Sequence, residues 1–188
     1  MGKKAGEVGF DEIQFDYIRF AVDRTMNDVV FDDGDTQGRN KTQAITEFIS
    51  YAHDELAKEG LFVSEEDAAA VGQEYEDMAE YLDYICPMIY PSHYGPGNFG
   101  IEYPDTQPYD TILNALNGSR ELLAASAKDD TPQAVVRPWL QDFTASYLEH
   151  YIRYGDEQVR QQIQAVYDAG YDQWILWDAG VSYHYGGV

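Results

Sequence analysis

Polar and apolar residues alternate in the segment GFDEIQFDYIRF, residues 9–20. Successive side chains of a β-strand point to opposite faces, so this alternation predicts a first strand over about 11–20. One face would carry Ile13, Phe15 and Tyr17, and the other Glu12, Gln14 and Asp16. Such a strand fits either the surface of an antiparallel sheet or the lining of a barrel.

The same periodicity analysis predicts helices and strands in regular alternation along the chain. Apolar residues recur at helical spacing over 41–59, 72–82, 108–127 and 156–169, and Gly60 and Gly170 stand where helix C-terminal caps belong. Short apolar runs predict further strands at 61–64, 83–90, 133–143 and 173–180. The segments 27–40 and 91–107 are rich in turn-forming residues and are predicted to be loops.

Strands that alternate with helices indicate an α/β protein with a parallel sheet, either an open doubly wound sheet or a (β/α) barrel. A doubly wound nucleotide-binding sheet carries a glycine-rich turn after its first strand. The segment YIRFAVDR lacks that turn, and GPGNFG at 95–100 lies within a loop, well before the next helix. Polar and aromatic residues instead follow the strands at their C-terminal ends, where barrel enzymes bind substrate. A barrel is therefore predicted, with Asp16 directed into its mouth.

The amino-acid composition and net charge limit which kinds of molecule the chain is expected to bind. The 188 residues suffice for one domain, and 44% hydrophobic and 14% aromatic content allows a packed core. The 34 acidic and 12 basic residues give a net charge of −22, which repels phosphate backbones and argues against nucleic acid as a partner. This negative charge either keeps the protein soluble or reflects adaptation to a salty or acidic environment. No apolar stretch is long enough to cross a bilayer, and the single cysteine, Cys86, allows no disulfide within the chain.

No cofactor and no metal is predicted. The four histidines show no metal-ligand spacing, and His53 and His150 are predicted to lie within helices and to face solvent. The acidic loop FDDGDTQGRN lacks the ligand order of a calcium-binding loop. No nucleophile elbow surrounds a serine or Cys86, which disfavours a serine or cysteine hydrolase.

Four motifs, in order along the chain, carry a resemblance to a known family. The segments GFDEIQFDYIRF, DYICPMIYPSHYGPG, RPWLQDF and WILWDAG resemble the family of bacterial putative glycosyl hydrolase domains over nearly the whole chain. The pattern is more distantly similar to chitinase-type (family 18) glycoside hydrolases, with counterparts at Asp16, Met88 with Tyr90, and Trp177. The resemblance implies a (β/α)8 barrel that hydrolyses a glycosidic bond in a polysaccharide, outside the cell or at its envelope.

The resemblance also implies that the strand ending near Asp16 is the fourth of eight strands. The chain would then be a single domain, 1–188, that holds the C-terminal five strands and is truncated at its N-terminus relative to the family, below the usual ~250 residues. Five strands alone would leave two sheet edges and one inner face uncovered. The expected partners are therefore a carbohydrate substrate and either a second copy of the chain or the missing N-terminal half of the barrel.

Two departures from the family pattern bear on activity. The general-acid glutamate of chitinase-type enzymes falls at Ile18, so their substrate-assisted mechanism is not carried over. The strand LFVS at 61–64 is short and runs directly into EEDAAAVG, where the resemblance implies a fuller strand with an acidic residue.

Glycoside hydrolysis needs two carboxyl groups that flank the scissile bond. Asp16 is the first candidate, as nucleophile, base or electrostatic stabiliser, although a buried aspartate paired with Arg19 or a tyrosine hydroxyl is the alternative. Asp142 is the predicted acid partner. The predicted substrate-binding residues lie at strand ends and in the adjoining loops: Arg19, Tyr90, His93, Trp139, Gln141, Trp177 and Asp178. Tyr90 could equally lie at the edge of the core, the tryptophans could pack the barrel end, and Asp178 could cap a loop.

Two function classes stay open at this point. One is a glycoside hydrolase that uses carboxylate acid–base catalysis, and the other is a non-catalytic carbohydrate-binding or scaffold domain of the same fold. The missing glutamate, the short strand and the absent N-terminal strands favour the second class. A second carboxyl group at a strand end, within about 10 Å of Asp16, would favour the first.

Overall fold

A computed structural model of the chain describes residues 2–16, 18, 20, 30, 32–65, 75–128 and 132–188. The chain divides into two compact units. The first holds Met1–Cys86 and Ser126–Val135, and the second holds Pro87–Ala125 and Val136–Val188. Helices and strands are numbered below in chain order.

The first unit contains a four-stranded sheet. Its strands are β1 (Glu12–Phe15), β2 (Phe62–Glu65), β3 (Tyr84–Ile85) and β5 (Val135–Val136), in the order β1-β2-β3-β5. β1 pairs with β2, and β2 with β3, in parallel. The helices of this unit are α1 (Gly2–Glu7), α2 (Asp33–Thr36), α3 (Lys41–Ala57) and α4 (Tyr75–Met78).

The second unit contains a three-stranded sheet. Its strands are β4 (Met88–Ile89), β6 (Trp139–Gln141) and β7 (Ile175–Trp177), in the order β4-β6-β7, and both pairings are parallel. The helices are α5 (Pro108–Ser126) and α6 (Asp156–Asp168). Short 3-10 turns lie at Pro91–His93, Asn98–Gly100, Pro104–Thr106 and Tyr185–Gly187.

Helix α3 supplies much of the core of the first unit. Its buried residues recur at helical spacing and are Ile45, Ile49, Ala52 and Leu56. The helix begins with a capping box, in which the Asn40 side chain accepts from the N–H of Gln43 and the Gln43 side chain accepts from the N–H of Asn40. The ring of Phe15, on β1, packs edge-on against Phe48 with 5.4 Å between ring centroids. The apolar face predicted for the first strand therefore packs against a helix.

Each sheet is interrupted where the chain contains proline. Pro87 separates β3 from β4, and Pro138 separates β5 from β6. Proline has no N–H to donate to a strand ladder, but its carbonyl oxygen still accepts. Accordingly the N–H of Trp139 donates to Pro87 O, and the N–H of Ile175 donates to Pro138 O, both at 2.9 Å. The two prolines thus end one sheet and allow the next to begin.

The predicted α/β class, with parallel strands joined through helices, is confirmed. Gly60 and Gly170 follow α3 and α6 with φ values of 73° and 87°, a left-handed conformation that favours glycine at a helix end. The second strand is as short as predicted, at four residues.

Several predicted boundaries were wrong. The strand predicted over about 11–20 is a strand over Glu12–Phe15 in the described residues, and the strands predicted at 83–90 and 133–143 are each two short strands. The predicted loop 27–40 contains α2. His150 is exposed and lies outside the helices, between β6 and α6, because the chain there forms bends rather than a helical turn.

Leu140 offers a test of the core of the second unit. Its side chain on β6 is 0% exposed. We expect Leu140→Ala to lower the free energy of unfolding by about 2–5 kcal/mol, because it removes buried apolar contacts and leaves a cavity. Leu122, which is 50% exposed on α5, is the matched control, and Leu122→Ala should cost less than about 1 kcal/mol. Chemical denaturation followed by circular dichroism compares the two; equal losses would contradict this assignment of the core.

Candidate active site

The three strands of the second unit end at one edge, and polar residues follow them there. Tyr90 follows β4, Asp142 follows β6 and Asp178 follows β7. The register pairs Ile89 with Leu140 and Gln141 with Trp177, so these strand ends lie at nearly the same height. Parallel strands whose carboxyl ends meet in this way place the residues that follow them close together. This edge is the candidate active site.

Asp142 and His184 form a hydrogen-bonded pair at this edge. Asp142 is 1% exposed, and its N–H donates to the carbonyl oxygen of Trp177 at 2.8 Å. Its Oδ2 accepts the backbone N–H of His184 at 2.8 Å, and its Oδ1 lies 2.6 Å from His184 Nδ1. Because a carboxylate accepts hydrogen bonds, we assign the ring proton of His184 to Nδ1. Nε2 is then the ring nitrogen that can accept or donate a further proton, and the His184 side chain is 43% exposed.

Gln141, the residue before Asp142, is buried and uses its polar groups within the protein. Its side-chain Nε2 donates to Asp105 Oδ1 at 2.9 Å and to Phe143 O at 3.0 Å, and its Oε1 accepts the N–H of Ser92 at 3.0 Å. The side chain of Gln162, on α6, bonds both to the N–H and to the carbonyl oxygen of Gln141. Gln141 therefore connects β6 to the loops after β4 and to α6, rather than presenting a free amide at the surface.

Asp105 is a second buried carboxyl group near this edge, and it is 2% exposed. Its Oδ1 accepts from Gln141 and its Oδ2 accepts the N–H of Ile152 at 3.3 Å, while its backbone oxygen accepts the hydroxyl of Tyr154 at 3.1 Å. Burial raises the pKa of Asp105, and the hydrogen bonds oppose this only in part. Burial, and then the charge of Asp105, raises the pKa of Tyr154 far above its ordinary value.

Two aromatic groups flank the strand ends. The rings of Trp139 and Trp177 meet edge to face, with 5.8 Å between their centroids, and Trp177 is 42% exposed. Tyr90 is 6% exposed and packs against His93 at 5.3 Å and against Phe143 at 5.9 Å. The indole Nε1 of Trp139 is buried and has no hydrogen-bond partner among the residues that the structure describes.

His93 and Asp178 make mainly local contacts. The Nδ1 atom of His93 lies 3.1 Å from Ser92 Oγ, and partial burial lowers the pKa of the His93 imidazole. Asp178 Oδ2 accepts the N–H of Ser182 at 2.8 Å and so closes the turn after β7. This contact is a loop cap, and substrate binding by Asp178 stays a prediction.

The remaining predicted site residues belong to the first unit. Asp16 follows β1 directly and is exposed, so the alternative of a buried aspartate is wrong. Arg19, predicted to bind substrate, and Tyr17 lie outside the described residues. The structure thus gathers Tyr90, His93, Trp139, Gln141, Asp142, Trp177 and Asp178 in the second unit.

Two residues at this edge were missed from sequence. His184 was dismissed because the histidines show no ligand spacing, and its partner Asp142 lies 42 residues earlier in the chain. Asp105 was read as part of a loop, and the polar and proline-rich segment EYPDTQPY gives no sign in the sequence that its carboxyl group is buried.

A family model described as a putative glycosyl hydrolase domain matches residues 1–183, and the chain belongs to this family. No curated protein matches the sequence. No helix in the described part of the chain has the length and apolar character needed to span a membrane. Within the same ranges, no group of three or more histidine, cysteine, aspartate or glutamate residues is arranged to hold a metal ion.

Two solved structures share the fold. The spore cortex-lytic enzyme SleL of Bacillus megaterium QM B1551 is similar over 99% of this chain and 49% of that chain, with a TM-score of 0.55 and 12% identity. The spore cortex-lytic enzyme SleL of Bacillus cereus is similar over 98% of this chain and 49% of that chain, with a TM-score of 0.58 and 11% identity. The chain therefore spans about half the length of each enzyme.

The raised pKa of Asp105 predicts a pH-dependent stability. The folded chain binds this proton more tightly than the unfolded chain, so the contribution of Asp105 to the free energy of unfolding is fully present below its unfolded pKa of about 3.9 and is lost as the pH rises through the folded pKa. Asparagine does not titrate. We expect Asp105→Asn to gain in Tm relative to the wild type between about pH 4 and about pH 7.

Differential scanning calorimetry across this pH range measures that gain. The matched control is Asp172→Asn at an exposed position, which should keep a constant difference from the wild type. A constant difference for Asp105→Asn as well would contradict the buried titrating carboxyl group.

Proposed function

We propose that this domain is a glycoside hydrolase that acts on a polysaccharide. The observation that carries the proposal is the Asp142–His184 pair, which lies where β6 ends and beside the half-exposed ring of Trp177. A buried carboxylate that fixes the tautomer of a partly exposed imidazole is an arrangement suited to general acid–base chemistry. Membership of the family supports the same reaction class.

His184 is the group we propose to carry the proton. Both carboxylate oxygens of Asp142 accept hydrogen bonds from His184, so Asp142 is placed to orient the ring rather than to meet the substrate. Protonated Nε2 would donate to the glycosidic oxygen as the bond to the anomeric carbon breaks. Water would then add to that carbon, and the proton that the water loses would return to Nε2 of His184. Asp142 was predicted to be the acid. We now propose that His184 donates the proton and that Asp142 orients its ring.

Trp177 and Trp139 are proposed to contact the sugar. An exposed indole presents a flat apolar face, and pyranose C–H groups pack on such faces. Trp139, whose ring meets that of Trp177 edge to face, is proposed to extend this apolar surface, while its Nε1 is buried. Gln141, with its amide fully engaged, is proposed to position the edge rather than to bind substrate.

Asp16 remains our candidate for a second carboxyl group. It is exposed and follows a strand at the C-terminal end, as in barrel enzymes whose catalytic residues lie at strand ends. We propose that it acts as nucleophile, base or electrostatic stabiliser.

We further propose that the chain corresponds to the C-terminal five strands of a (β/α)8 barrel. Both sheets follow chain order, without the reversal that marks a doubly wound sheet. In the second sheet, Ile89 and Leu140 on one face are 3% and 0% exposed, whereas the other face holds Trp177 at 42% beside Gln141 at 0%. An inner barrel face that further strands would cover accounts for this asymmetry. A second copy of the chain or an N-terminal half of the barrel is the partner we propose for it.

The polysaccharide of a bacterial cell wall is the substrate we propose to test first. The two enzymes that share this fold are spore cortex-lytic enzymes, and this supports a cell-wall polysaccharide as the first substrate class to test. No cofactor is part of this proposal.

A non-catalytic carbohydrate-binding domain is the second candidate. One observation favours it: in the second unit both described carboxylates that follow strands are held by backbone N–H groups, Asp142 by His184 and Asp178 by Ser182. Both oxygens of Asp142 are thereby engaged, whereas Asp178 uses only its Oδ2 in this contact.

Removal of His184 tests the proposed proton transfer. We expect His184→Ala to lower kcat/KM about 10²–10⁴-fold on purified bacterial peptidoglycan, with release of reducing ends as the measurement, because the general acid is lost. Added imidazole should restore part of the activity, because it can replace the lost proton donor. It would restore none if His184 had only a structural role. Asp142→Asn should also lower kcat/KM, because the imidazole loses the carboxylate that fixes its tautomer and orientation. His53→Ala on α3 is the matched control.

Full activity in His184→Ala would overturn the proposed role of the histidine. Saccharide binding without hydrolysis by the wild type would establish the second candidate function.

Asp16→Asn tests the second carboxyl group separately. We expect kcat to fall at least about 100-fold with little change in Tm, because Asp16 is exposed and its role is chemical rather than structural. The control is Asp11→Asn, an exposed aspartate just before the same strand. Unchanged kcat in Asp16→Asn would remove Asp16 from the mechanism.

A further inference from the structure

We infer that a cavity of about 140 Å³ in the second unit binds a single uncharged sugar ring. The cavity lies between the loop that follows β4 and the segment that follows β6. The inference rests on the proposed function, since the ring would belong to the same polysaccharide. It adds a binding site distinct from the Asp142–His184 pair.

The lining of the cavity combines aromatic, apolar and polar groups. The residues that matter here are Tyr94, Tyr103, Asp105, Leu148, Glu149 and His150. Sugar rings have apolar C–H faces and a polar rim of hydroxyl groups, so they are bound by aromatic walls with a few carboxylate or imidazole groups between them. The composition of this cavity matches that requirement.

The aromatic walls are held in place before any ligand binds. Tyr94 packs against Phe99 with 5.1 Å between ring centroids, and Tyr103 stacks on His150 at 3.9 Å and 35°. The Tyr103 hydroxyl bonds to Glu102, and this bond raises the pKa of the phenol. A ring that is already fixed loses little side-chain entropy on binding.

Phe99 shows that the loop is held under backbone strain. Its φ is 56°, in the left-handed region that bulky residues rarely adopt, and it lies between Gly97 and Gly100, whose φ values are 85° and 74°. Strained residues of this kind persist where the surrounding structure requires them and are concentrated at binding sites. Here the strained residue is the one that packs against a wall of the cavity.

Volume and charge select the ligand. Pockets for drug-sized ligands measure about 300–1,000 Å³, so a volume of about 140 Å³ limits this cavity to one ring at a time. Glu149 is exposed and Asp105 lies at the lining, within a chain of net charge −22, so an anionic sugar would be repelled.

The cavity is connected to the candidate active site by one side chain. Asp105 lines the cavity, and its Oδ1 accepts from Gln141, the residue immediately before Asp142. The cavity and the Asp142–His184 pair are therefore linked through Asp105 and Gln141. We expect the cavity to contribute to affinity for the polymer and not to the bond-breaking step.

Isothermal titration of the purified chain with cellotriose, chitotriose and trigalacturonate tests the inference. We expect a neutral trisaccharide to bind and Tyr103→Ala to weaken it at least about tenfold, because an aromatic wall is lost. Tyr103→Phe should bind like the wild type, since it keeps the ring. His150→Ala, at an exposed position that the fold tolerates, should also weaken binding. Tyr147, 70% exposed and outside the lining, is the matched control for tyrosine replacement.

Unchanged affinity in both Tyr103→Ala and His150→Ala would overturn the inference, as would failure of the wild type to bind either neutral saccharide. Trigalacturonate that binds as tightly as the neutral saccharides would overturn the assignment of an uncharged ring. Hydrolysis of peptidoglycan separates the two proposals. If peptidoglycan is hydrolysed but saccharide binding does not depend on Tyr103, the proposed cavity site is wrong and the hydrolase proposal stands. If binding depends on Tyr103 but no hydrolysis occurs, the hydrolase proposal is wrong and the cavity site stands.

Discussion

The second unit depends on the complete hydrogen bonding of one buried amide, that of Gln141. Its side chain bonds to Asp105, Ser92 and Phe143, and Gln162 satisfies its backbone. A buried polar network of this kind stabilises one arrangement only when each member has a partner, because an unpaired buried group costs about 1–3 kcal/mol. The loop after β4, the end of β6 and helix α6 are therefore fixed relative to one another, and Asp142 is placed by the residue that precedes it.

The alternation of helices and strands was predictable because it depends on local periodicity. The cores of α3 and α6, the left-handed glycines that end them and the parallel pairing all follow from spacing along the chain. The divisions at Pro87 and Pro138 were not recognised, although proline removes a donor from a ladder and both prolines were visible. Apolar residues on either side of a proline look like one strand, and the sequence contains no sign of which sheet each half joins.

The candidate site was predictable in outline and not in its contacts. Residues after parallel strands meet at one edge, so Tyr90, Asp142 and Trp177 could be chosen from the order of elements. The partner of Asp142 could not, because His184 lies 42 residues away and reaches it through the chain that follows β7. Gln141 was predicted to bind substrate because it is polar and ends a strand. Its burial follows from Asp105 and Ser92, which approach it from distant loops.

The pairing of Asp142 with His184 restricts the chemistry that this edge can perform. A carboxyl group that acts as a general acid must meet the glycosidic oxygen, and Asp142 is 1% exposed with both oxygens engaged by one residue. His184 is 43% exposed and carries the ring whose tautomer that carboxylate fixes. If this edge transfers a proton to a sugar, the imidazole has to transfer it, and Asp142 serves by holding the ring in position. If His184 transfers none, the same edge still presents the half-exposed ring of Trp177, an apolar surface on which a sugar can be held without being cleaved.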